Sequence, residues 1–297
     1  MNIAILSRDS NIYSTHRLIQ EGRQLGHNMY VIDHVQCNLV VKNGRTEIYQ
    51  EDFKIKNIDL VIPRIGANVT DIGLSVIRHF ESMKVPVLLS SKALSDSRDK
   101  VKSLQLFAQN KIPTPNSVAV GKTLQIKLLQ QVLGKPPWIL KIPEGTQGIG
   151  VVLSESSRSA ESTIEAFLKL GSRVIVQEYI EESKASDIRV FVVNNQIVGA
   201  MKRTAEQGFR SNLHRGATGI EITLTDQEKE VALKAVKTMG LNVAGVDLLQ
   251  SRKGALVMEV NSSPGLEGIE QNTTANIAKE IIIAAEKYYE QFKIRKT

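Results

Sequence analysis

The sequence predicts an α/β fold: an N-terminal doubly wound parallel-sheet unit, a small α+β lid, and a C-terminal unit of mixed strands and helices. Two observations carry this. Short apolar runs alternate with amphipathic stretches through residues 1–90, the pattern of βαβ units. The segment Ile112-Pro113-Thr114-Pro115 then separates that part from a half denser in strands. A chain of 297 residues, 42% hydrophobic and 23% charged, can bury a core of two or three subdomains around a cleft.

The elements follow in order. Residues 2–7 read as an apolar strand, 12–25 as a helix closed by Gly26, and 28–33 as a second strand. Residues 39–49, centred on Asn43-Gly44, predict a hairpin with a type I′ turn. Strand 60–63, helix 71–83 and strand 85–89 complete the first unit. A parallel sheet binds ligands beyond the carboxyl ends of its strands, where Ser7-Arg8 and Pro63-Arg64-Ile65-Gly66 fall. Residues 91–110 predict one charged amphipathic helix, which the two prolines end. Strand 117–120, helix 123–133, strand 138–142, a glycine-rich loop, strand 151–153, helix 161–170 and strand 174–180 form a unit small enough to move as a lid. Strands 188–193 and 197–201 meet at Asn194-Asn195, and a polar loop runs over 204–219. A helix starts at the capping box Thr225-x-x-Glu228 and ends with Met239 before Gly240; a hairpin over 243–260 and a helix from about residue 274 close the chain. The expected division is 1–95 for the N-terminal domain and 96–297 for the rest, with 112–180 as lid and 181–297 as the metal and substrate subdomain.

Composition bounds the function. No run approaches the roughly 18 apolar residues of a membrane span, and the first strand, broken by Arg8 and Asp9, does not read as a signal peptide. The single cysteine, Cys37, excludes an intrachain disulfide and fits a reducing cytoplasm. Lys and Arg exceed Asp and Glu by 38 to 31, a net charge of +7 that suits an anionic partner or serves solubility alone. Aromatics at 5% are too few for an evident base-stacking platform, so an RNA-binding role ranks as a remote alternative and no direct nucleic-acid contact is expected.

Four constellations carry chemistry. In VAGVDLLQSRKGALVMEVN, Asp247 lies six residues before Lys253 and Glu259 six after it, so a hairpin turning around residues 251–255 sets the carboxylates opposite each other. Asn261 shares the face of Glu259. Apolar flanks imply that both carboxylates are buried, which is costly without a cation, and an all-oxygen donor set suits magnesium or manganese. A solvated edge hairpin is the alternative. Lys141 at a strand end, followed by Gly145, Gly148 and Gly150, offers a cation and backbone N–H groups to phosphates; a glycine hairpin of structural value is about as good a reading. Strand VIVQEYI, with Gln177 and Glu178, has an edge that can pair with an adenine, though such a run is more often a plain strand end. Arg203, Arg210, His214 and Arg215 cluster in and beside the polar loop, where arginine forks suit phosphoryl oxygens or, alternatively, make an exposed basic loop. No Ser/His/Asp or Cys/His nucleophile arrangement stands out.

The motifs NIAILSRD, VIPRIG, SRDKVKSLQLFAQ, EGTQGIGVVL, VQEYI, DIRVFVV, GFRSNLHRG, TMGLNVAGVDLL and VMEVNSSPGLEGIE, spread over nearly the whole chain, resemble the ATP-grasp superfamily and most closely its RimK family. The resemblance implies the ATP-grasp fold. It implies ATP phosphate contacts at Lys100 and Lys141 and a loop, with Gly145, Thr146, Gln147 and Gly148, folding over them. It implies an adenine-binding strand at Glu178, Tyr179 and Ile180, and nucleotide contacts at Asp187, Arg189 and Arg210. Arg203, Arg210 and Asn212 would act at the reacting phosphate, and Asp247, Glu259 and Asn261 would ligate Mg2+ or Mn2+, two ions being expected. The implied activity is ATP-dependent carboxylate–amine ligation through an acyl phosphate. L-glutamate would be added to the acidic C-terminal tail of a small-subunit ribosomal protein, with poly-glutamate synthesis as a further activity and a homo-oligomer, dimer or tetramer, as the assembly. Relatives of the same fold act on a carrier protein or a small-molecule acceptor, which is the alternative. One position departs from the family pattern: Ala217 stands where a second glycine is expected after the FRSNLHRG run.

Overall fold

Ile3 and Ile5 pack to one side of the first strand and Ala4 and Leu6 to the other, and all four are buried. A strand buried on both faces belongs inside a sheet that is covered twice. The computed structural model describes residues 1–143, 150–206, 208 and 217–295. The chain runs β1 (Asn2–Leu6), α1 (Tyr13–Gln24), β2 (Asn28–Ile32), β3 (Cys37–Lys42), β4 (Arg45–Gln50), β5 (Phe53–Lys54), β6 (Leu60–Pro63) and α2 (Thr70–Ser82). β1 lies between β2 and β6 and is parallel to both. Leu18 of α1 packs with Ile3 and Ile5, while Val76, Ile77 and Phe80 of α2 pack in the cluster of Ala4 and Leu6. This is the doubly wound unit the alternation predicts. The β3–β4 hairpin turns at Asn43 (φ 52°) and Gly44 (φ 71°), both left-handed as a type I′ turn requires. Residues 85–89 form no full strand: Val87 makes a single parallel bridge with Val61, beside Pro86, which has no N–H to donate.

Where one helix is expected over 91–110, the structure has two, α3 (Ser91–Arg98) and α4 (Lys100–Gln109). Asp99 breaks them. Its backbone is extended (φ −86°, ψ 103°), and its carboxylate accepts from the N–H groups of Val101 and Lys102, so it caps α4 at the expense of helical continuity. Lys100 consequently stands at the first position of a new helix.

A four-stranded antiparallel sheet follows, built from β7 (Ser117–Val120), β8 (Trp138–Lys141), β9 (Val151–Ser154) and β10 (Val174–Glu178), with α5 (Ile126–Leu133) and α6 (Ser157–Lys169). Trp138, Leu140, Val174 and Val176 form a core with Leu129, Leu133, Ala160 and Ile164 of the helices. The residues between them in the strands, Lys141, Ile175 and Gln177, face the opposite way, toward a cleft.

The largest sheet has the order β13-β12-β11-β14-β15, antiparallel throughout: β11 (Ser186–Val193), β12 (Gln196–Thr204), β13 (Thr218–Glu221), β14 (Val243–Ser251) and β15 (Gly254–Asn261). Between β13 and β14 runs α7 (Asp226–Thr238), which starts at the expected capping box with both reciprocal hydrogen bonds formed. β13 and α8 (Glu267–Asn272) were not expected, because polar or short runs carry little periodicity. Ile188, Val190, Val192, Val246, Leu248 and Val260 pack under α7 on one face. On the other, Phe191 and Met201 pack with Ile277, Ile281 and Ile282 of α9 (Ile277–Ile294). Among the described residues no helix is long and apolar enough to cross a membrane.

Candidate active site

The face of the large sheet that meets α9 becomes polar further along. On β11 the residues two and four before Phe191 are Arg189 and Asp187; Arg189 lies opposite Asp247 of β14, and Asp187 opposite Arg203 of β12. Residues paired across strands point to the same side, so these four converge. Arg203 donates through Nε and Nη2 to Asp187 at 2.6 and 2.7 Å and reaches Asp247 at 3.0 Å. Arg189 donates through Nε and Nη2 to the two oxygens of Asp247, the second at 2.8 Å. Asp187, Arg203 and Asp247 are each 5% exposed or less. Burial opposes the charge on Asp247, but Arg189 and Arg203 outweigh it and hold its carboxyl below the usual range. Burial likewise opposes the charge on Arg203, and Asp247 and Asp187 reverse that, so its guanidinium stays protonated at any working pH.

Asp247 does lie opposite Glu259, as expected, although the register that achieves this differs from the expected one. The turn is tight, with Ser251 opposite Gly254, and regular pairing from there would set Met258 against Asp247. The register shifts between Asp247 and Leu248, leaving Met258 as the extra residue of a β-bulge. That bulge rotates Glu259 onto the face of Asp247. A second correction follows: the carboxylates are not both buried. Asp247 is, whereas Glu259 is exposed to the cleft. Asn261 keeps the face of Glu259, and its Oδ1 accepts from the Ser263 N–H at 3.0 Å.

Glu259 borders a cleft of about 440 Å³ whose lining includes Lys100, Lys141, Ile175, Gln177 and Met258. Lys141 Nζ donates to Gln177 Oε1 at 2.6 Å, and Gln177 in turn donates to Ser117 Oγ at 2.8 Å. Lys100 Nζ donates to the Pro143 carbonyl at 2.9 Å. Burial pushes the Lys141 ammonium down to about 8; Glu259 draws it back up, and Lys100 adds to the depression. Two ammonium groups face one open carboxylate here, an arrangement that receives a polyanion with a bridging cation. Glu178 accepts from the Asn116 backbone N–H at 2.7 Å and its side-chain amide at 3.2 Å, so in this state its carboxylate ties β10 to the segment entering β7. Tyr179 and Ile180 continue from that strand, Ile180 being buried.

The chain carries this geometry with two matching family models: the RimK PreATP-grasp domain over residues 1–94 and the RimK-like ATP-grasp domain over residues 97–285. It belongs to the RimK-like ATP-grasp family. It is therefore an ATP-dependent ligase. Among its relatives is the probable alpha-L-glutamate ligase 2 of Shewanella denitrificans, 48% identical over 97% of this chain and 96% of that protein. Another is the probable alpha-L-glutamate ligase of Marinobacter nauticus, 47% identical over 99% and 98%. In fold the chain is similar to the ATP-grasp ligase PsnB complexed with minimal precursor, at a TM-score of 0.75, 20% identity and coverage of 97% and 99%. It is similar also to D-alanine–D-alanine ligase from Bacillus anthracis complexed with ATP, at a TM-score of 0.74, 17% identity and full coverage of both chains.

Within that family frame, the structure brings together Lys100 and Lys141 with Glu259, and Asp187, Arg189 and Arg203 with Asp247. Of the remaining expected residues, Gly145, Thr146, Gln147, Gly148, Arg210 and Asn212 lie outside the described residues. Asp247, Glu259 and Asn261 supply only oxygens from adjacent positions of one strand pair, and the exposed Glu259 leaves an open side. That donor set has the chemistry of a hard divalent cation's ligands, with Glu259 open and Asp247 held here by Arg189 and Arg203. Sequence reading passed over two arginines. A continuous helix over 91–110 hides Arg98, and the turn reading hides Arg64; Arg98 lies in the field of Glu259 and Arg64 donates to Pro264 of the loop after β15. The signal for Arg98 was available in Asp99, a strong helix N-cap residue.

Proposed function

We propose that this ligase joins L-glutamate to the carboxylate terminus of a protein acceptor, with ATP cleaved to ADP and phosphate. The acceptor of the reading is the acidic C-terminal tail of a small-subunit ribosomal protein, and repeated addition would give a short poly-glutamate. The reading rests on the two relatives named as probable alpha-L-glutamate ligases at nearly full length. The observation that carries the chemistry is the meeting of Lys100, Lys141 and Glu259 in one cleft, next to the Asp247 cluster.

Lys100 and Lys141 would hold the phosphates, and Glu178, Tyr179 and Ile180 the adenine. Asp247, Glu259 and Asn261 would hold magnesium, whose chemistry when bound is charge neutralisation at phosphate oxygens. Asp187 and Arg189 lock Arg203 and Asp247 in place, so Arg203, together with Arg210 and Asn212, would face the reacting phosphate without a reorganisation cost. The acceptor carboxylate attacks the γ-phosphorus, ADP leaves, and the glutamate amine then displaces phosphate from the acyl phosphate. No side-chain nucleophile is required. Free Cys37 accords with a reducing cytoplasm.

The test is intact-mass spectrometry of the ribosomal acceptor incubated with the enzyme, Mg-ATP and each amino acid singly. A ladder of glutamyl additions is expected. An unmodified acceptor with glutamate, alongside modification of a carrier protein or a small acceptor, would replace the acceptor in this reading. Light scattering of the same sample checks the expected homo-oligomer.

A further inference from the structure

Among the described residues, two arginines near the 262–264 loop, Arg64 and Arg98, form no ion pair. Arg64, just past the carboxyl end of β6, donates through Nη2 to the Pro264 carbonyl at 2.5 Å. Arg98, the last residue of α3, donates through Nη2 to the Ile65 carbonyl at 2.6 Å. Both bonds go to neutral acceptors, and among the described residues neither arginine has a carboxylate within ion-pair distance. Burial lowers Arg64 to about 10, and Arg98 pushes it the same way, so the two guanidinium groups repel each other. Burial lowers Arg98 as well, opposed by the field of Glu259.

The orphaned donors agree with that electrostatic picture. Arg98 Nε is buried without a partner, and so is the Ser263 hydroxyl. Ser262, 4% exposed, is bound by Ser97 Oγ at 2.8 Å, which ties the 262–264 loop to α3. A buried donor left without a partner is costly, more so on a charged group, unless a ligand completes it. Arg64 and Ser262 also border a second cleft, of about 280 Å³, whose other walls include Pro63, Leu89 and Ile281. Arg98 and Ser263 lie outside its lining, and so do the lysines of the nucleotide cleft.

We infer that Arg64 and Arg98, with the Ser263 hydroxyl, form a carboxylate-binding subsite that anchors the incoming amino acid beside Glu259. The inference rests on the ligase reading above and deepens it. Forked guanidinium donors match a carboxylate, and one bound between two repelling cations would also relieve their repulsion. The subsite lies where three separate segments meet, the turn after β6, the end of α3 and the loop after β15, so its assembly depends on the whole fold. Glu259 is not its natural occupant, since that side chain opens to the nucleotide cleft.

Calorimetry on the full chain with Mg-ADP tests the inference. The probes are L-glutamate, its α-amide, its γ-amide, L-aspartate, L-lysine and a peptide ending in glutamate, each against wild type, Arg64→Lys, Arg98→Gln and Ser263→Ala. Loss of about 10- to 100-fold in glutamate affinity is expected in both arginine variants, and less in Ser263→Ala, while Mg-ADP affinity changes less than about twofold. The amide that no longer distinguishes wild type from Arg98→Gln identifies the carboxylate held. Ser263→Ala guards against misfolding, because it removes one orphaned hydroxyl and no structural bond. Equal glutamate affinity across all variants overturns the inference, and so does a loss of nucleotide affinity as large as that for glutamate. Arginine-dependent binding of another amino acid in place of glutamate upholds the subsite and overturns the glutamate reading; a wild type that binds none of the probes overturns both.

Discussion

The Arg203 guanidinium grips both oxygens of Asp187, at 2.6 and 2.7 Å, from the position directly across the β11–β12 pair. Its outer nitrogen reaches Asp247 at 3.0 Å, so one buried cation joins two buried carboxylates on neighbouring strands. Removing it leaves two like charges side by side. Arg203→Ala should destabilise the fold by about 3 to 5 kcal/mol, the cost of breaking a buried pair from one side. Denaturant unfolding checks this; a loss under about 1 kcal/mol would show that water reaches the site and the cluster is not dry.

The two hairpin carboxylates should part company on mutation. Glu259 is exposed and Asp247 is held by two arginines, so Glu259→Gln should leave stability within about 0.5 kcal/mol of wild type, whereas Asp247→Asn should lower it by several times that. Both should abolish ADP release if they ligate magnesium. Parallel melting and turnover measurements separate the effects, and wild-type turnover in Glu259→Gln would remove it from the metal set.

Nucleotide affinity should depend on pH through Lys141. Its ammonium titrates near 8 in the ligand-free protein, and bound phosphates raise that value. Binding is thus fully favoured below pH 8 and weakens as pH rises through it, by up to about tenfold per unit until the bound-state pKa is reached. Stability of the ligand-free protein runs the other way. The folded pKa lies below the ordinary lysine value of 10.5, the unfolded chain holds more protons between the two, and stability rises with pH across that window. Calorimetric titrations at pH 7 and 9 check the first statement. Lys141→Arg should flatten the profile, and an equally steep profile in that variant would assign the titration elsewhere.

Gly73 on α2 leaves room for Ile65. A Cβ there would come within 2.4 Å of Ile65 Cγ2, and Ile65 is 1% exposed. Alanine gains about 1 kcal/mol of helix propensity, but overpacking costs about 1 to 3. Gly73→Ala should therefore lower the melting temperature. It should also raise the amino-acid KM more than the ATP KM, because Ile65 sits next to Arg64 and its carbonyl holds Arg98. A stabilised variant with unchanged KM would show that Ile65 gives way freely.

The sequence by itself determined whatever depends on near neighbours in the chain. Alternation in β1, the Asn43-Gly44 and Asn194-Asn195 turns and the Thr225 capping box are each settled within a few residues, and all formed as expected. The pairing of Asp247 with Glu259 was expected as well, but from another register. Tertiary structure decided the rest. The Met258 bulge chose the register, because the sheet has a core on one face and a cleft on the other, and only one placement of Glu259 avoids burying its charge. The helix break at Asp99 set Lys100 against Pro143 and Arg98 against Ile65. Arg64 and Arg98 lie 34 positions apart in the chain, and neither has a local pattern that announces the other. Packing alone brings both, half-buried, to one place where no described residue pairs with them as an ion pair.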